Sequence, residues 1–144
     1  QYLSLHADDL DACRETINRI DHVMEIYDLE HLHENTAAQY HYQVAAIYCI
    51  HQKPEVAMER LKKFAAITDS LLSRDRIYLG GDSYFNSIDD YFENMDLGGN
   101  LVREKKVILG SVVQALENPV FEILKDKEDL QKMKKMFQAK GESL

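Results

Sequence analysis

The chain has 144 residues, a formal net charge of −8, 45% hydrophobic and 29% charged residues, and only two prolines and six glycines. That length suits one domain with a real buried core. The sequence holds no run of about 18 apolar residues, which argues against a membrane span, and no charged-then-apolar leader. The acidic balance argues against direct nucleic-acid contact, because gripping phosphates takes clustered Lys and Arg.

The charge is unevenly placed. Acids crowd the first quarter, from Asp8 and Asp9 through Glu15, Asp21, Glu25, Asp28 and Glu30 to Glu34, against only Arg14 and Arg19. The tail carries Lys125, Lys127, Lys132, Lys134, Lys135 and Lys140. Such runs form solvated helix faces, and the acidic one also presents a surface suited to a basic partner. Cys13 and Cys49 lack metal-ligand spacing and fall within apolar periods, as expected of small buried hydrophobes in a reducing, cytoplasmic setting.

Helical periodicity runs through the whole chain. Leu10, Cys13, Ile17, Ile20, Met24 and Tyr27 alternate steps of three and four, predicting a helix from about residue 7 to 28. A second helix, capped by Asn35 or Thr36, is expected to reach His51. Its stretch Val44–Ile50 is apolar nearly all round, so it belongs in the centre of the fold. Gln52-Lys53-Pro54 breaks the chain, with Pro54 placed for the first turn of a third helix. That helix buries Ala57, Leu61, Phe64, Ala65, Leu71 and Leu72 and ends near Ser73.

Gly80-Gly81-Asp82-Ser83 reads as a loop and cap. A fourth helix with Phe85, Ile88, Tyr91, Phe92 and Met95 inward is expected to end at Gly98-Gly99-Asn100. A fifth spans about Leu101 to Leu116, Asn118-Pro119 breaks it, and a last short one covers about Glu128 to Ala139. No strand alternation appears. The expected fold is all-α, a single domain over residues 1–144 of about five to six antiparallel helices in a short solenoid or bundle.

The hairpin from residue 36 to 73 resembles a tetratricopeptide repeat, whose period is about 34 residues. Val44, Ala45 and Tyr48 match the large, small and aromatic positions of its first helix; Ala57 and Leu61 match the small and large positions of its second. Small residues there let the two helices approach closely. His41, Phe64 and Asp69 depart from the pattern, standing where the family prefers a bulky aromatic, a small residue and proline. Asn118-Pro119-Val120-Phe121-Glu122-Ile123-Leu124-Lys125-Asp126 is similar to the segment that closes many such arrays.

Irregular repeats with this ending resemble the C-terminal sensor or dimerisation domains of bacterial transcriptional regulators with a helix-turn-helix of the XRE type. The start at Gln1 suggests a fragment of a longer chain of that kind. The resemblance implies a non-catalytic domain that binds a protein or peptide, or forms a homodimer. A free-standing tetratricopeptide adaptor is the alternative. Carried over by position, the concave binding face of the family falls on Gln39, Tyr42, Ala46 and Cys49.

The enzyme and metal readings find little to stand on. Glu30 and His33 have the i, i+3 spacing of di-iron bundles, but such sites need a second pair, and Arg19 and Tyr48 occupy the matching positions before His22 and His51. No zinc-binding His-Glu-x-x-His, phosphate-cradling glycine loop or serine elbow occurs. No cofactor is expected, and His41, between Tyr40 and Tyr42, is expected to pack in the core.

Overall fold

The computed structural model describes residues 1–73 and 101–144, with side chains from residue 105 onward in the second stretch. The elements in chain order are α1 (Tyr2–Leu5), α2 (Leu10–Ile26), α3 (Leu29–Leu32), α4 (Glu34–Ile50), α5 (Pro54–Leu72), α6 (Leu101–Leu116), a 3₁₀ helix (Pro119–Leu124) and α7 (Glu128–Ser143). The fold is all-α, with no strand among the described residues. The expected loop at Gly80-Gly81-Asp82-Ser83, the helix around Phe85–Met95 and the terminator at Gly98-Gly99-Asn100 lie outside the described residues.

Asp9 starts α2, its carboxylate accepting from the Ala12 N–H at 3.1 Å. The stripe of Leu10, Cys13, Ile17, Ile20 and Met24 faces the core, but Tyr27 is 49% exposed. The helix stops at Ile26, and Asp28 takes a left-handed φ of 48°, so the chain swings away before Tyr27 can extend the stripe. α4 begins at Glu34 with His33 as its cap residue, earlier than the expected cap at Asn35 or Thr36. Glu34, Ala37 and Ala38 are buried, and enclosing that turn draws Asn35 and Thr36 into the helix.

The α4–α5 connection is only His51-Gln52-Lys53, with Gln52 at φ 57° and Pro54 opening α5, so the two helices pack antiparallel. Ala45, Ala57, Val44 and Leu61 are each 0% exposed, which places the small residues where the hairpin is tightest. α2 crosses the other side of α4 in the opposite direction: Tyr40 Oη lies 3.1 Å from the Ile17 carbonyl oxygen, while His51 Nε2 donates to the Ala7 carbonyl at 2.7 Å. Covered on both sides, α4 buries residues nearly all round, as its composition requires.

Beyond α6 the Asn118 side chain accepts from the Val120 N–H at 3.0 Å and Pro119 opens the 3₁₀ helix, which sets Phe121 and Leu124 into the core against α4 and α5. α7 then lies parallel to α5, because Lys62 pairs with Asp129 at 2.8 Å and Lys140 with Asp69 about two turns further along α5 and about three turns further along α7. No short loop joins α5 to α7, so nothing local imposes opposite directions. No helix among the described residues is long and apolar enough to cross a membrane.

Candidate functional site

His41 organises the most elaborate polar cluster in the described structure. It projects from the middle of α4 and is 1% exposed. Burying an imidazole is tolerable when both ring nitrogens are hydrogen-bonded. Arg60 Nη1, from α5, lies 3.3 Å from His41 Nδ1, and Glu30 Oε1, from α3, lies 2.9 Å from Nε2. A guanidinium only donates, so Nδ1 accepts and the Nε2–H donates to Glu30. That set of roles is the neutral Nε2–H tautomer. Burial, with Arg60 and Lys63 adding to it, holds the His41 pKa below its usual value against the opposing pull of Glu30.

Arg60 also grips Asp21 of α2 with two bonds, Nη1 to Oδ1 at 2.8 Å and Nη2 to Oδ2 at 2.6 Å. Tyr40 Oη adds a bond to Asp21 Oδ1 at 2.8 Å. Partial burial pushes the Asp21 carboxyl up, but the bonds from Arg60 and Tyr40 outweigh it and leave its pKa below the usual value. Tyr40 is pushed well above the normal phenol range by burial and by Asp21. Four helices thus meet at one network: α2 through Asp21, α3 through Glu30, α4 through Tyr40 and His41, α5 through Arg60.

Above this network opens a cleft of about 370 Å³ lined by Asp21, Met24, Glu25, Asp28, Glu30, His41 and Lys63. Four of its seven lining residues are carboxylates, Asp21, Glu25, Asp28 and Glu30, and Lys63 is the one lysine among the seven. Met24 is the one aliphatic side chain in the lining and is itself mostly buried. A mainly acidic lining with one aliphatic side chain suits the charged head and methylene stem of a basic side chain.

The residues read from the repeat resemblance are placed elsewhere. Gln39 is exposed and reaches Asn35 Oδ1 at 3.4 Å. Tyr42 is half-buried; its hydroxyl donates to the Ala115 carbonyl at 2.9 Å, and its ring packs on Phe64 and Phe121 with centroids 5.4 and 5.3 Å away. Ala46 packs against the core, and Cys49 is 2% exposed. These four do not form one open face, because α6 and the 3₁₀ helix already cover Tyr42. Removing the Tyr42 hydroxyl by Tyr42→Phe is expected to cost about 1 kcal/mol, the net value of such a bond. Denaturant melts at constant m-value read this, and an unchanged midpoint would remove the bond from the account.

Burial pushes the Cys49 thiol up to about 11, and the Cys13 thiol is likewise raised, by burial and the nearby Asp9 and Asp8. Both stay protonated at neutral pH. Among the described residues no group of three or more His, Cys, Asp or Glu side chains is arranged to hold a metal, and Glu30 turns to His41 while His33 is exposed.

Sequence reasoning missed Asp21, Glu30 and Arg60 as a unit. One signal was present: Arg60 follows Ala57 by three and precedes Phe64 by four, so it sits on the inward stripe of α5, where an arginine needs an acid. The departure of His41 from the repeat pattern was the second signal. No protein-family model, characterised protein or solved structure matches this chain.

Proposed function

We propose that this chain is a non-catalytic protein- or peptide-binding domain of tetratricopeptide-like build, serving as the C-terminal regulatory part of a helix-turn-helix transcriptional regulator in a bacterial cytoplasm. The observation that carries the reading is the α4–α5 hairpin. Val44, Ala45, Tyr48, Ala57 and Leu61, the residues that match the repeat, are all buried, and all but Tyr48 are fully enclosed. The parallel seating of α7 on α5 supports it further, since successive second helices of stacked hairpins run the same way.

In this reading the partner docks at the acidic cleft, with a basic side chain entering between Glu25, Asp28 and Lys63. Tyr42 and Cys49 hold the scaffold and do not touch the partner. Fluorescence anisotropy with labelled Lys/Arg-rich and Glu-rich peptides tests this. The basic peptides are expected to bind, to weaken as salt rises, and to lose affinity about tenfold in Glu25→Lys, a surface change. Equal binding of both peptide classes, or indifference to Glu25→Lys, would sink the docking site. A full-length chain with no DNA-binding part would sink the regulator assignment and leave the adaptor.

A further inference from the structure

The cluster around His41 is built for one protonation state. Neutral His41 accepts from Arg60 at Nδ1 and donates to Glu30 at Nε2, and the side chain is sealed from solvent. A proton added at Nδ1 removes the acceptor that Arg60 uses and sets a positive N–H against a guanidinium 3.3 Å away. The groups facing His41 are Asp21 from α2, Glu30 from α3, Arg60 and Lys63 from α5, and its neighbour Tyr40 on α4. Glu25 and Asp28 line the same cleft. Glu30 favours the cation; burial, Arg60 and Lys63 oppose it and prevail.

This polar network is also what fastens the C-terminal half of α2 and the single turn of α3 to the α4–α5 hairpin, alongside the apolar side chains Ile17, Ile20 and Met24. We propose that His41 is an acid-sensitive latch: neutral, it holds α2 and α3 on the hairpin, and taking up a proton it releases them, opening the cleft side of the domain. The consequence is regulatory. The face lined by Asp21, Glu25, Asp28 and Glu30 changes shape between neutral and mildly acidic pH, the range in which histidine alone among unperturbed side chains changes charge.

The sign follows from linkage. The folded pKa of His41 lies below its usual value of 6.5, so the open state binds more protons, and the closed state is favoured above about pH 6.5 and loses ground as pH falls below it. His31 acts in the opposite sense, since Asp28 raises its pKa, but its side chain is 76% exposed and that contribution is small.

Native-state hydrogen exchange at pH 7.5 and 5.5, corrected for intrinsic rates, tests the latch. One-proton linkage with an open-state pKa of 6.5 allows opening to rise by up to about tenfold over that interval. The rise is expected in α2 and α3, with α6 and α7 changing less, and it is expected to vanish in His41→Gln. Uniform change over all helices, no change, or persistence in His41→Gln overturns the proposal. Should His41→Gln fail to fold, ring-nitrogen NMR of the unsubstituted chain decides. A neutral Nε2–H ring in the closed state at pH 5.5 supports the latch. A protonated ring with α2 and α3 still protected overturns it.

Discussion

Phe121→Ala is expected to destabilise the domain by about 3–5 kcal/mol, the usual range for truncating an enclosed aromatic. Phe121 is 2% exposed on a helix only six residues long, and its ring meets Tyr42 edge-on at 74°. Four elements meet at that contact, because Tyr42 of α4 also carries Phe64 of α5 and holds the end of α6 through the Ala115 carbonyl. A cavity there is hard to refill: the 3₁₀ helix is pinned by Asn118 and Pro119 at one end and by Leu124, 0% exposed, at the other. At roughly 3 °C per kcal/mol for a chain of this size, the melting temperature should fall by roughly 10 °C. Phe121→Leu, which keeps most of the volume, should recover more than half of the loss. A shift of only about 1 °C for Phe121→Ala would mean that the closing segment does not seat in the core as described.

Arg60→Met is expected to cost about 1–3 kcal/mol, less than the 3–5 typical of breaking a buried pair. The discount comes from exposure. Arg60 is 13% exposed but Asp21 is 36% exposed, so the orphaned carboxylate keeps part of its hydration. The variant removes three bonds at once, two to Asp21 and one to His41 Nδ1, while methionine retains the packing of the stem. Its pH dependence separates charge from packing. Asp21 has a folded pKa below its ordinary 3.8, so its contribution is present above about pH 3.8 and is lost as pH falls through the folded pKa. The stability gap between the parent chain and Arg60→Met should therefore be largest above about pH 4 and narrow below it. A gap independent of pH, in urea melts from pH 3 to 7, would assign the effect to packing alone.

How much of this was legible beforehand depended on distance along the chain. Pro54, Asn118-Pro119 and the three–four spacing of Leu10 through Met24 act within a turn or two: Pro54 opens its helix, and the helix at Leu101–Leu116 ends before Asn118, as that local chemistry requires. Where neighbours intervened, local signals lost. Asn35 and Thr36 are good caps, yet enclosing Glu34, Ala37 and Ala38 starts α4 before them. α7 runs on to Ser143, past the expected end near Ala139.

The site lay on the far side of that divide. His41 stood out in the sequence as a polar residue in an apolar helix, and the acidic run from Asp21 to Glu30 stood out by charge. That Asp21, Glu30 and Arg60 belong to His41 comes from how α2, α3 and α5 pack around α4, with partners 11 to 39 residues apart in the chain. Gln39, Tyr42, Ala46 and Cys49 show the converse, since a helical register assigns them a face and only the seating of α6 and the 3₁₀ helix decides whether that face is covered. By itself, then, the sequence determined that the chain is helical, where most helices start and stop, and which stripes turn inward, because these depend on backbone propensity and a period of 3.6 residues. Tertiary structure alone decided that α7 runs parallel to α5, that Tyr42 is covered, and that a buried neutral histidine joins four helices beneath an acidic cleft. Those depend on which faces meet, and contacts between residues tens of positions apart leave no local pattern to read.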